Sequence, residues 1–352
     1  MKKAIIVSTV MVLYAQILFG QCPKYDLQPP HLSDIILKCS VVQDVSTTIL
    51  TYRYSMTNGP SSTGCINEID IDISLPLGSM QLSNTGLTDY PRYVDRSPLS
   101  FDSSVKVIPV GIPKLPSFKG FTSAWSADFS MDGFVGWFRA ISDYRLPPGA
   151  TLDSIIMTSH GLPRLRRFVI SPSYNPKPAV EVTPENEDSV RRFVPEPSEE
   201  EEEAFQHLVD SIKVKGITIG PTAPPLNFVA IIWIDTLISY KHQAVALGWL
   251  KDRREDQKDE DDEEKEDGVV AKLDKRLDKV RAELVKGDSL KARKELEKFL
   301  KKVEKLRKQS EEAEQKKREQ EVAMTSEGFA LLKYNAEYLV DRLPRKQKGG
   351  KE

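Results

Sequence analysis

The stretch that most constrains this chain is Val269 to Leu306, VVAKLDKRLDKVRAELVKGDSLKARKELEKFLKKVEKL. In its first half Val270, Leu273, Leu277, Val280 and Leu284 recur at spacings of three and four. That is an apolar stripe on a helix whose other faces carry Lys, Arg, Asp and Glu. Lys286-Gly287-Asp288-Ser289 interrupts the stripe. Gly287 suits the left-handed residue that ends a helix, and Asp288 or Ser289 can cap the start of the next. Leu290, Leu296, Phe299, Leu300, Val303 and Leu306 form the second stripe. So short a link between amphipathic helices predicts an antiparallel hairpin. One partner cannot bury either stripe fully, so further helices are expected around it.

The flanking sequence supplies them. Asn227 to Trp249 carries Phe228, Ile231, Ile232, Leu237, Tyr240, Ala244 and Leu247 as a broad apolar face. Thr325-Ser326-Glu327-Gly328 opens a last helix bearing Phe329, Leu332, Ala336, Leu339 and Val340, and Leu343-Pro344 stops it. Glu255–Asp267 and Arg307–Glu321 are charged almost throughout. The first reads as a helix extension or a loop, the second as an exposed helix with Glu/Lys pairs. Both are expected to be solvated surface. These segments define a helical domain over residues 225–344, followed by a charged tail, 345–352.

Leu247-Gly248-Trp249-Leu250, Lys286-Gly287-Asp288, Ala292 with Leu296 and Phe299, and Thr325-Ser326-Glu327-Gly328-Phe329-Ala330-Leu331-Leu332 together resemble the FIVAR/FIMAH-type helical modules of bacterial surface and secreted proteins. The resemblance covers about a third of the chain. The acidic tract Glu255–Asp267 departs from the family pattern, which has a short Gly-containing turn there. What the resemblance implies is a surface-attachment or accessory role without catalysis, and no particular ligand.

At the other end, Lys2 and Lys3 precede an apolar run from Ala4 to Phe19, then Gly20 and Gln21. This has the form of a secretory signal peptide over residues 1–21. Ser8, Thr9 and Gln16 interrupt the run, which is short for a membrane span. Gln21 before Cys22 argues against lipidation. The expected location is therefore periplasmic, cell-surface or fully secreted, with no transmembrane segment after cleavage. Export permits a disulfide among the three cysteines, Cys22, Cys39 and Cys65. Cys39 and Cys65 each border a strand-like run, so they are the expected pair, which leaves Cys22 free or intermolecular.

Residues 32–176 read as strands. Ile35–Cys39, Thr48–Met56 and Cys65–Leu75 are rich in β-branched and aromatic residues. Ile69, Ile71, Ile73 and Leu75 alternate with Glu68, Asp70, Asp72 and Ser74, a half-buried strand with one wet face. Later candidates are residues 105–110, 121–129, 135–140, 154–159 and 168–171. Several short strands between turns predict an antiparallel β-sandwich. A Pro- and Glu-rich spacer, residues 177–224, in which Ala204–Ile212 can form a short helix, would join it to the antiparallel helical bundle.

Candidate chemistry is sparse. Asp70 and Asp72 have calcium-ligand chemistry, but alternating strand residues more simply make a solvated face. Ser159-His160 lacks a nucleophile elbow, and adjacent strand residues point to opposite faces. His31, His160, His207 and His242 are scattered without metal-ligand spacing. Trp125 and Trp137 are candidate surface-binding aromatics, for which core packing is the competing role. No catalytic, metal or cofactor site is expected. With 50 Lys and Arg against 52 Asp and Glu, net charge does not indicate a polyanion surface, and nucleic acid is not expected as a partner. The reading is a secreted non-catalytic binding or scaffolding protein, attached to extracellular protein or polysaccharide. The alternative is an envelope or polysaccharide hydrolase with its site in the β domain.

Overall fold

The computed structural model describes residues 29–72 (45 and 47 excepted), 106–108, 125–129, 134–139, 145–174, 199–222, 224, 227–252, 268–318 and 322–345. The expected signal peptide and the acidic tract Glu255–Asp267 lie outside them. Antiparallel sheets occupy the N-terminal part, and the C-terminal part is helical.

One sheet holds β1 (Ile36–Gln43), β2 (Leu50–Thr57), β7 (Thr151–Ser159) and β4 (Lys106–Ile108), in that spatial order. The second holds β5 (Trp125–Phe129), β6 (Phe134–Arg139), β3 (Ile66–Asp72), β8 (Leu162–Pro172) and β9 (Val214–Thr222). Period-two alternation builds both. Leu50, Tyr52, Tyr54 and Met56 turn inward from β2, as Ile69 and Ile71 do from β3. The two tyrosines bring hydroxyls into the interior, and each finds an acceptor in the other sheet's strands or their turns. Tyr52 donates to the Gly161 carbonyl and Tyr54 to that of Ile219, both at 2.8 Å. Arg166 of β8 is also buried; its Nε donates to the Pro221 carbonyl at 3.1 Å and its Nη2 to Thr222 Oγ1 at 2.9 Å.

The stretch expected to be an extended spacer is structured over much of its length. Glu199–Ser211 is helix α1, and β9 pairs with β8 from Leu162↔Thr222 to Ile170↔Val214. The β-branched residues Ile217 and Ile219 give β9 its strand character, and Gly216 is the residue Phe168 requires. A Cβ there would come within 2.4 Å of the phenyl ring.

Four further helices follow: α2 (Ala230–Ala246), α3 (Val269–Val285), α4 (Ser289–Gln315) and α5 (Ser326–Arg342). The predicted hairpin is present. Gly287 takes φ +79°, and Asp288 caps α4 by accepting the Lys291 N–H at 2.9 Å. Leu273, Leu277 and Val280 of α3 and Leu296, Phe299 and Val303 of α4 are fully buried. Helix α2 packs on α3 and α5, and α4 packs on α3 and α5. Among the described residues no helix is long and apolar enough to cross a membrane.

Helix α5 also packs against β1, β8 and β9. It joins the two halves with buried polar contacts. Glu327 accepts the Cys39 N–H at 2.6 Å, Tyr334 donates to the Val41 carbonyl at 3.0 Å, and Asn335 donates to the Pro163 carbonyl at 2.8 Å. Strand β1 is an edge strand, so the outward N–H of Cys39 and C=O of Val41 lack strand partners there. Side chains of α5 satisfy them instead.

The expected Cys39–Cys65 bridge does not form. Cys39 is a free, buried thiol, whereas Cys65 is disulfide-bonded to a residue outside the described set. Cys39 lies in mid-strand on β1, sealed under α5, and Cys65 lies where the chain enters β3 in the other sheet. Burial, and next the Glu327 carboxylate, push the Cys39 thiol well above its ordinary pKa.

Candidate functional site

Trp125 and Trp137 lie on β5 and β6. The register pairs Trp125 with Arg139, and Trp137 with Ala127 and Ile69. Their side chains lie outside the described set. Asp72 is buried at 6 % exposure, and Asp70 lies beside Glu68 on β3. Among the described residues no group of three His, Cys, Asp or Glu side chains could hold a metal ion. Ser159 is buried and its Oγ accepts the Gly161 N–H at 2.8 Å, so it fastens the β7–β8 turn. His160 beside it is exposed.

Among the described residues Asp70 is the carboxyl most altered by its surroundings. Burial chiefly, and the neighbouring Glu68 carboxylate next, push its pKa up to about 7, against the opposing pull of Lys213. Glu68 is raised as well, mainly by burial. Alternation places the two carboxyls on one face of β3, about 7 Å apart along the strand.

The described residues also form an open cleft of about 700 Å³ between α2 and α3. Asp235, Ser239 and His242 recur along α2 at helical spacing and face Asp278 and Arg281 of α3. Arg281 and Asp235 are ion-paired at 2.6 Å. Behind them Lys241 is buried at 1 % exposure and pairs with Asp274 of α3. Its ammonium also lies 3.0 Å from Nδ1 of His242. The cleft therefore offers paired charges and hydrogen-bonding groups, suited to holding a polar ligand. None of its described contacts joins a nucleophile to a base.

Sequence reasoning missed the cleft. Asp235 was visible as a charged residue within an apolar run, but its partner Arg281 lies 46 residues away and is brought to it by the α2–α3 packing.

No family model matches this chain, and neither a curated protein nor a solved structure matches it.

Proposed function

We propose that this is an exported, non-catalytic binding or scaffolding protein, in which a β-sandwich carries an antiparallel helical bundle akin to FIVAR/FIMAH-type modules. The signal-like N-terminus and the resemblance support export and attachment. The observation that carries the reading is the docking of α5. Glu327, Tyr334 and Asn335 spend their polar groups on the sheets. That fixes the helices as a rigid platform whose α2, α3 and α4 surfaces stay turned outward. A platform of this kind presents a surface to a binding partner. The test is co-sedimentation of the mature chain with cell-envelope and extracellular-polymer fractions. Retention of the wild type is expected; its absence from every fraction would overturn the reading.

A second reading rests on Asp70 and Glu68. Two carboxyls on one strand face, one with its pKa raised to about 7, are the kind of pair a glycoside hydrolase uses as acid and base. Hydrolysis of an envelope polysaccharide that Asp70→Asn abolishes would favour this reading over the first.

A further inference from the structure

Net charge hides how the charges are sorted in space. Residues 269–308 hold fifteen Lys and Arg against seven Asp and Glu, an excess of eight positive charges on the α3–α4 hairpin. On α4, Lys291, Lys294, Lys298, Lys301, Lys305 and Lys308 follow one another at spacings of three and four. All six are exposed. Such spacing draws a single line along a helix, here about 26 Å long, with a lysine about every 5 Å. On α3, Lys272, Lys275 and Lys279 make a second row, which Lys286 at the helix C-cap extends.

The two rows flank the same seam. Arg276 of α3 meets Glu295 of α4 at 3.9 Å. Lys272 and Lys279 lie one turn either side of Arg276, and Lys291 and Lys298 one turn either side of Glu295. The opposite flank of α3 is taken by α2, through Lys241–Asp274 and Asp235–Arg281. The opposite flank of α4 is taken by the α5 region, through Arg293 to the Leu343 carbonyl and Arg307 to that of Met324. The lysine-lined seam is thus on the outward side, away from the sheets.

We infer that this seam is a docking surface for a linear anionic polysaccharide, one bearing a carboxylate or sulfate on its sugar units. The inference rests on the extracellular binding role proposed above and names its partner class. Charge complementarity along a straight line favours an extended polyanion. The rows are lysine throughout, compact hydrated charges that tolerate variable anion geometry, unlike the bidentate fork of arginine. No aromatic side chain is interleaved with them, as base stacking would need. Among the described residues, the large exposed apolar side chains at the seam are Val285 and Leu290 beside the turn, at 66 % and 44 % exposure. A helix lying on lipid would need a continuous apolar face.

The test uses the full mature chain and soluble polygalacturonate followed by calorimetric titration, with neutral dextran as control. Binding is expected that weakens steeply with added salt. Replacing Lys294, Lys298, Lys301 and Lys305 together by Gln should lower the affinity at least about tenfold. The matching set of Arg replacements should retain it, and circular dichroism melts should show all variants folded. Unchanged affinity in the Gln variant, or no binding by the wild type, overturns the inference. So does binding confined to DNA duplex or to phosphatidylglycerol-containing vesicles. If the Gln variant still co-sediments with envelope fractions as the wild type does, the seam is wrong and the binding role stands. If the wild type binds polygalacturonate but no natural fraction, the seam stands and the proposed role fails.

Discussion

The backbone N–H of Cys39 donates to Oε1 of Glu327 at 2.6 Å, across 288 residues of sequence. Both residues are buried, the first on an edge strand and the second in the first turn of α5. An edge strand needs its outward groups covered, and this helix covers them. Glu327→Ala would leave the Cys39 N–H buried without an acceptor. It should destabilise the chain by about 1–3 kcal/mol. Glu327→Gln keeps an acceptor oxygen and should recover much of the loss. Urea unfolding of the full chain measures both; equal stability of Glu327→Ala and wild type would refute the role.

Leu277 and Phe299 lie at the centre of the α3–α4 packing, both without solvent exposure. Truncating them leaves cavities that helices tied by a short turn cannot close. Leu277→Ala should cost about 2–5 kcal/mol and Phe299→Ala about 3–5 kcal/mol. Thermal melts should show a clearly lower midpoint for each. Val285→Ala, at an exposed position near the same turn, is the matched control and should change little.

Those two residues were legible because their signal is local. A stripe at spacings of three and four, broken by Gly287 and Asp288, specifies two helices and their turn within forty residues. Thr325 was legible likewise, and it caps α5 by accepting the Gly328 N–H. What was not legible depends on long-range pairing. Strand β9 hid in a region whose Gly216, Gly220 and Pro221 read as spacer. It became a strand because β8 offers it a complete partner. Pro163 of β8 likewise pairs with Pro221, on a stretch of β8 that β3 does not reach. The docking of the helical segment on the sheets was not legible either. Tyr334 and Asn335 tie it to β1 and β8, and nothing local announces their partners. The lysine seam was invisible for a different reason, since net charge averages over faces that packing separates.

The cysteine arithmetic now points elsewhere. The sequence has three cysteines, Cys39 is free, and Cys65 is disulfide-bonded. Cys22 is the one partner left. Non-reducing peptide mapping of exported protein should find the Cys22–Cys65 peptide, with Cys39 unlabelled by iodoacetamide until the chain is denatured. A burial-raised thiol stays protonated and unreactive. Rapid alkylation of native Cys39, or a Cys39-containing disulfide, would contradict the structure.

Asp70 should leave a signature in the pH dependence of stability. Its folded pKa, about 7, lies well above the value near 3.9 of an unfolded aspartate. Between those values the folded chain holds a proton that the unfolded chain has lost. Stability therefore falls as pH rises through that window, and the penalty levels off once Asp70 is ionised in both states. Glu68, raised in the same direction, adds to the slope. Asp70→Asn keeps the shape and removes the titration. The variant should match the wild type near pH 4, exceed it in stability at pH 8, and show a flatter profile between. Urea midpoints taken across this range decide it. Parallel profiles for the two proteins would show that Asp70 titrates normally, and would remove the physical basis for giving it an acid–base role.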